Sequence, residues 1–172
     1  MSKRLRALMR KGQYTVTFDR DFEGVIKACG GRRQDRWHVT WITPRIMRAF
    51  AALYDEGFLH SLEVWNATGA LVGGGFGVAL GRVFFGESLF SREDHVSKLG
   101  VYVLYWHLTH WGYVIGDAKT PSPTMLDMGS RLIPRTEFIG CLAENAGSGG
   151  KAGRWNIEAD LKAVADWQPG AA

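Results

Sequence analysis

The carboxylate of Glu87 stands in "FFGESLFS" (Phe84 to Ser91), with two aromatics and Gly86 before it and Ser88, Leu89 and Phe90 after it. Surface loops rarely carry so much apolar side chain, and cores rarely admit a carboxylate, so the stretch poses the question of what Glu87 serves. A second carboxylate, Asp117, ends the apolar run "YVIGDAK" and is followed by Lys119 and the proline-containing "TPSPT". An acid at a strand end beside a loop is a usual place for site chemistry and an equally usual place for a helix cap, and both readings stand. His107 and His110 are three apart with His95 nearby, but no further ligand of matching pattern appears, so no metal site is expected. Ser61 and Ser88 lack the glycine-flanked elbow of hydrolases, and no Ser-His-Asp or Cys-His set can be assembled.

The second chemical feature is charge. Lys3, Arg4, Arg6, Arg10 and Lys11 precede every acid in the chain, and Arg32, Arg33 and Arg36 form another knot within a net charge of +4. Such patches attract polyanions; they also describe a solvated helix face and a loop. Cys29 and Cys141 are isolated, fit no metal spacing and read as reduced thiols. No apolar run reaches the length of a membrane span, and the opening "MSKRLRALMRKG" has no signal core, which points to the cytoplasm.

The elements that position these residues follow from caps, glycines and periodicity. A chain of 172 residues can bury a core as one domain. "SKRLRALMRKG" reads as a helix closed by Gly12, and "YTVTF" as a strand. Asp19 or Asp21 then caps a helix ending at Gly30-Gly31, and a polar loop "RRQDRWHVTW" follows. Thr43 as N-cap, Pro44 at the first helical position and Gly57 as stop mark the next helix. "HSLEVW", "ALVGGGFGVAL" and "VFFGES" form an antiparallel meander. Gly73 to Gly75 mark either a close backbone approach or a bulge within its middle strand. A helix from Val96 to Trp111, a strand "YVIGDA", a short helix "TMLDMG" and a helix after Pro134 complete a domain over 1–146. "SGGKAG", within 147–153, reads as a flexible linker, and 154–172 as a tail with a helix over Ile157 to Trp167. This order predicts an α+β fold with a mixed, largely antiparallel central sheet flanked by helices, compatible with the GNAT acyltransferase layout. A CoA enzyme of that layout needs a glycine-rich phosphate loop before its long helix, and "GESLFSREDHVSKLG" carries acids there instead.

In "HSLEVW", "LVGGGFGVALGRVFFGESLFSR", Ser97-Lys98, "IPR" (Ile133 to Arg135) and "TWIT" (Thr40 to Thr43), the chain resembles the bacterial leucyl/phenylalanyl-tRNA–protein transferase family, from roughly Lys3 to Cys141. The resemblance implies a GNAT-like catalytic domain, here without the smaller domain that precedes it in that family. It implies transfer of Leu or Phe from tRNA to an acceptor amine, the N-terminal Arg or Lys of a protein or another peptide or small-molecule amine. The partners implied are the aminoacyl-tRNA 3′ end and the acceptor; no cofactor and no membrane are implied.

By the same resemblance Glu87 hydrogen-bonds the aminoacyl-adenosine end, beside Ser88. Gly75, Leu89, Val101, Leu104, Leu108 and Ile115 receive the amino-acid side chain, with Phe50 close by. Trp41 stacks on the adenine. Lys3, Arg4, Arg6, Arg10 and Lys11 hold the tRNA backbone through salt-sensitive contacts. Asp117 matches a catalytic Asp, and Lys119 replaces a Gln of the family's Asp-Cys-Gln triplet. A Lys can stabilise an oxyanion, but it cannot both donate and accept as an amide does. Phe50 stands where Tyr occurs and Gly75 where Met is frequent. The alternatives are a non-catalytic binder of aminoacyl-tRNA ends and a GNAT-type acyltransferase using another donor.

Overall fold

A computed structural model describes residues 1–31, 40–147 and 149–167. The arginine knot at Arg32, Arg33 and Arg36, most of the loop around it, Ser148 and the last five residues lie outside the described residues.

Five of the described helices begin where a side chain takes up a free N–H group, while α4 and α6 start without a side-chain cap. Ser2 accepts from Leu5 N–H to open α1 (Lys3–Arg10). Asp21, not Asp19, caps α2 (Phe22–Gly30), taking Gly24 N–H at 2.9 Å. Thr43, with Pro44 at the first position, opens α3 (Pro44–Asp55). α4 (Val96–His110) is the long helix, followed by α5 (Pro123–Asp127) capped by Ser122 and α6 (Arg135–Asn145) behind Pro134. The final helix α7 (Leu161–Asp166) is shorter than the pattern suggested, because Asp160 caps it by accepting from Ala163 N–H.

Five strands lie in sequence order: β1 (Tyr14–Phe18), β2 (Leu59–Asn66), β3 (Leu71–Leu80), β4 (Val83–Ser91) and β5 (Ile115–Asp117). The first four are antiparallel and β5 runs parallel to β4 across α4, so the sheet is mixed and the fold is α+β. β4 runs on to Ser91, beyond the stretch its sequence marks as a strand, because β3 pairs with it throughout.

The glycines of β3 permit close approach. A Cβ at Gly74 would stand 2.3 Å from the Leu62 carbonyl oxygen, and one at Gly73 2.6 Å from a Val96 methyl. The register irregularities fall elsewhere, at Val64/Trp65 and Phe76/Gly77.

Each sheet face carries its own core. One face packs Leu5 and Met9 of α1 with Val64, Leu99 and Val103. The other packs Val25 and Ile26 of α2 with Ile42, Leu59, Phe76 and Phe90. The stretch read as linker and tail joins the first core: Trp155 is 1% exposed, and Val164 and Ala165 are fully buried.

Candidate active site

The position of Glu87 comes from a β-bulge. Phe76 pairs with Ser88 and Gly77 with Gly86, so Glu87 is the extra residue of β4 and has no partner across the ladder. A bulge of this kind bends the strand and re-aims a side chain. Beyond Phe85, which pairs with Asp117, β5 ends while β4 continues, so from Gly86 onward β4 has no neighbouring strand on that side. Gly86 faces the end of β5: a Cβ there would make ordinary contact, at 3.4 Å, with the Asp117 carbonyl oxygen.

The Glu87 side chain is 11% exposed, and its Oε2 accepts from Lys119 Nζ at 2.5 Å. Lys119 adopts the left-handed conformation at φ 63, and its backbone N–H donates to Asp117 Oδ1 at 2.7 Å. For a residue with a Cβ that conformation costs about 1–2 kcal/mol. Here the turn bond to Asp117 and the ion pair to Glu87 hold it in place. The three residues expected to carry the chemistry are thus linked in one chain, Asp117 to Lys119 to Glu87.

Beside them lies a cavity of about 200 Å³. An engineered apolar cavity of about 150 Å³ holds benzene, so a Leu or Phe side chain is of a size to enter. Its wall includes Gly75 and Leu89 from the sheet, Val101 and Leu104 from α4, and Glu87 with Ser88 at the bulge. All six belong to the set expected from the sequence. Phe84 also contributes, its ring lying over Gly77, where a Cβ would meet the ring at 2.2 Å. Tyr105 packs against Gly116 and lines the cavity; burial, and secondarily the Asp117 charge, raise its hydroxyl above the usual phenol range.

Other expected residues stand further off. Leu108 is buried on α4 but outside the cavity wall, and Ile115 pairs with Val83 at the start of β5. Trp41, 52% exposed, meets Phe50 edge-on at 6.0 Å, and Phe50 meets Phe76 at 5.1 Å. Phe76 lines the cavity, so this aromatic row runs from the cavity to the surface. On α1 and at its C-cap, Lys3, Arg4, Arg10 and Lys11 are exposed and Arg6 is half-buried; Arg10 is paired with Asp166, and none lines the cavity.

Sequence reasoning missed His60, Ser61, Tyr105, Met125 and Trp155 in the wall. His60 and Ser61 sit inside "HSLEVW", whose helix-free alternation marked a strand but not what its side chains face.

The histidines of α4 are engaged by the protein itself. His107 Nδ1 meets the Val103 carbonyl oxygen at 2.7 Å and its Nε2 accepts from Glu158 N–H at 2.8 Å; His110 Nδ1 meets the Trp106 carbonyl oxygen. Among the described residues no group of three or more His, Cys, Asp or Glu could hold a metal ion. No helix among them is long and apolar enough to cross a membrane.

The fold is that of an acyltransferase-type α+β domain. A Pyrococcus furiosus structure assigned provisionally to the acetyl transferases superposes with a TM-score of 0.54 over 71% of this chain and 95% of its own, at 12% identity, which speaks to fold alone. The chain belongs to the leucyl/phenylalanyl-tRNA protein transferase family, whose model matches residues 1–143. A leucyl/phenylalanyl-tRNA–protein transferase of Azotobacter vinelandii is 42% identical over 167 residues, 97% of this chain and 67% of the relative. One from Pseudomonas fluorescens is 45% identical over 84% of this chain and 63% of the relative, and one from Alkalilimnicola ehrlichii 39% over 96% and 64%. The chain therefore spans about two thirds of the length of these curated relatives.

Proposed function

We propose that this chain transfers a Leu- or Phe-type amino acid from the 3′ end of a charged tRNA to an acceptor amine, the activity its relatives' names describe. The observation that carries this reading is the Asp117–Lys119–Glu87 linkage beside an apolar cavity of about 200 Å³. The amino-acid side chain enters the cavity, and Glu87 at the bulge accepts a hydrogen bond from the terminal ribose. The acceptor amine attacks the ester carbonyl; a C–N bond forms, the C–O bond to the ribose breaks, and the ribose oxygen takes up a proton.

Asp117 Oδ1 is held by Lys119 N–H, while Oδ2 makes no hydrogen bond among the described residues and is the atom to receive the amine's proton. Lys119 spends one N–H on Glu87, which leaves two to meet the carbonyl oxygen as it gains charge. Because the ester is already activated, holding the two substrates in line supplies much of the rate. Trp41 stacks on the adenine, a contact worth roughly 1–3 kcal/mol, and Lys3, Arg4 and Lys11 engage the tRNA backbone.

A second reading, a protein that grips charged tRNA ends without turnover, is favoured by Lys119 standing where the resemblance implies a Gln and by the altered loop "TPSPTMLD". Incubating tRNA charged with labelled Leu, Phe or Met, the chain and a peptide beginning with Arg separates the two. Label in the peptide that disappears with Asp117→Ala supports transfer. Bound tRNA with no label moved to this peptide or to free amines leaves the binder, and no binding at all rejects both.

A further inference from the structure

Trp155 lies between α6 and α7, beyond residue 143 where the match to the family model ends, yet it is 1% exposed and forms part of the cavity wall. Its placement is fixed by directional contacts. Its backbone N–H donates to Asp19 Oδ2 at 2.8 Å, and its indole N–H donates to the Lys151 carbonyl oxygen. Its ring stacks on His60 with centroids 3.7 Å apart and planes 6° from parallel. Trp111 at 5.0 Å and Phe84 at 5.8 Å close around it.

Asp19 is the anchor of this arrangement. It stands at φ 53 and gathers three donors: Trp155 N–H, Ser61 N–H at 2.8 Å and His60 Nδ1 at 2.8 Å. Freed from capping α2 by Asp21, it ties the turn after β1, the strand β2 and the late segment into one unit.

The rest of the wall is more yielding. Gly75 offers no side chain, Leu89 and Leu104 are unbranched at Cβ, and Met125 is an adaptable thioether on a short helix. Phe84 leans on Trp155 itself, and of the remaining rings neither Phe76 nor Tyr105 is held by a side-chain hydrogen bond among the described residues. A planar ring held by two hydrogen bonds and a stack is the part of the cavity that cannot give.

We propose that Trp155 sets the depth of the cavity and so selects the amino acid by side-chain size, with Asp19 and His60 as positioning residues that hold it. The proposal rests on the aminoacyl reading above. A pocket of fixed depth discriminates one size step by about 10–200-fold. The Phe side chain should therefore reach Trp155, Leu should fall short of it, and Trp should be excluded.

The test uses the full chain labelled with 5-fluorotryptophan, the Trp155 resonance being assigned from Trp155→Phe among the seven tryptophans. Non-hydrolysable, amide-linked aminoacyl adenosines carrying Leu, Phe or Trp are titrated and followed by fluorine NMR. The expected result is a Trp155 shift that is larger for Phe than for Leu, and binding of the Trp analogue at least ten-fold weaker than that of Phe. In Trp155→Phe that gap should narrow at least five-fold, and Asp19→Asn, which touches no ligand, should narrow it in the same direction. Should the variants fail to fold, the affinities of the unaltered chain still decide: a Trp analogue bound at least ten-fold more weakly than Phe supports the proposal, and one bound equally well overturns it. Analogues that bind without moving the Trp155 resonance, or that keep their order in the variants, overturn the proposal and leave the proposed function standing. If none of the analogues binds, the proposed function falls and this inference falls with it.

Discussion

Replacing Lys119 by Gln, the residue type that the resemblance implies there, separates two effects that the wild-type side chain combines. Lys119 Nζ lies 2.5 Å from Glu87 Oε2, with the lysine side chain 45% exposed and the glutamate 11%. An ion pair open to water on one side is worth about 0.2–1 kcal/mol, and the sheltered glutamate places this one toward the upper end. A ribose hydroxyl that binds Glu87 must compete with that pair, so its loss should tighten binding by up to about five-fold, the factor that 1 kcal/mol represents. The same substitution replaces a charged donor by a neutral amide N–H at the place where the oxyanion forms, a difference of about 1–1.5 kcal/mol or roughly ten-fold in turnover. Gln inherits φ 63 with the same Cβ, so no new backbone strain enters. Loss of the pair alone should move Tm by no more than about 4 °C. The assay is twofold: calorimetric titration with an amide-linked phenylalanyl adenosine, and single-turnover transfer from charged tRNA to an Arg-peptide. Tighter binding with slower transfer is the expected outcome. Unchanged transfer would refute the oxyanion role, and weaker binding would show that Lys119 contacts the ligand rather than competing with it.

Three further outcomes are expected. Burial holds the His107 imidazole below its ordinary value of 6.5, outweighing the upward pull of the Val103 carbonyl and Glu158, while His110 and Lys151 add to the lowering. The stability this contributes is present above the unfolded-state value and lost as pH falls below it toward the folded one. Protonated Nε2 can no longer accept from Glu158 N–H, a bond worth about 0.5–1.5 kcal/mol, so Tm should fall between pH 7.5 and 5.5 in thermal melts and fall less in His107→Gln. Gly77→Ala places a Cβ 2.2 Å from the Phe84 ring and 2.5 Å from the Phe85 carbonyl oxygen, which is backbone and cannot rotate away. Urea unfolding should show a loss of about 1–3 kcal/mol or more, and a change below about 0.5 kcal/mol would contradict the register at the bulge. Replacing Lys3, Arg4 and Lys11 together by Ala should lower the slope of log affinity for tRNA against log salt by about two to three, while Arg10→Ala, whose guanidinium is paired with Asp166, should change it by less than one.

Local signals in the sequence reached as far as local physics does. Thr43-Pro44 marked α3 because a side-chain cap and a fixed φ act within one turn, and the glycine-punctuated strands marked the meander. Val101 and Leu104 reached the cavity, while Leu108, on the same helical stripe, lies in the core beyond it; periodicity defines a face, not which part of that face a cavity meets. The bulge at Glu87 has no local signature, since it arises from Gly77 pairing with Gly86 across the ladder. Trp155 was illegible for the same reason in stronger form. "SGGKAG" reads as linker and "RWN" as the start of a tail, and the site that receives the indole is assembled from residues more than ninety positions earlier, Asp19 of the turn after β1 and His60 of β2.

Those distant anchors have a consequence for how the site holds its shape. The cavity lies where β4 loses β5 as a neighbour, so on that side no ladder of backbone bonds fixes the wall. Rigidity has to come from side chains, and two buried histidines provide it from two elements: His60 of β2 stacks on Trp155, and His107 of α4 accepts from Glu158 N–H in the same segment. Lys151 pairs with Glu158 and lies over Trp111, and Arg154 donates to the Tyr54 carbonyl oxygen with its guanidinium over the Tyr54 ring. The segment after α6 is thereby fastened at both ends of Trp155, and the cavity keeps one firmly held wall although the sheet opens beside it. Shortening the chain before residue 155 should accordingly remove more than a tail: it exposes Phe18, Phe84 and Trp111 together and leaves the Asp19 carboxylate without one of its three donors. A truncated chain ending at residue 147 should therefore melt at a markedly lower temperature and lose binding of the aminoacyl adenosines, even though every residue of the Asp117–Lys119–Glu87 linkage is retained. Retention of full affinity by that truncated chain would show that the wall is set by β4 and α4 alone.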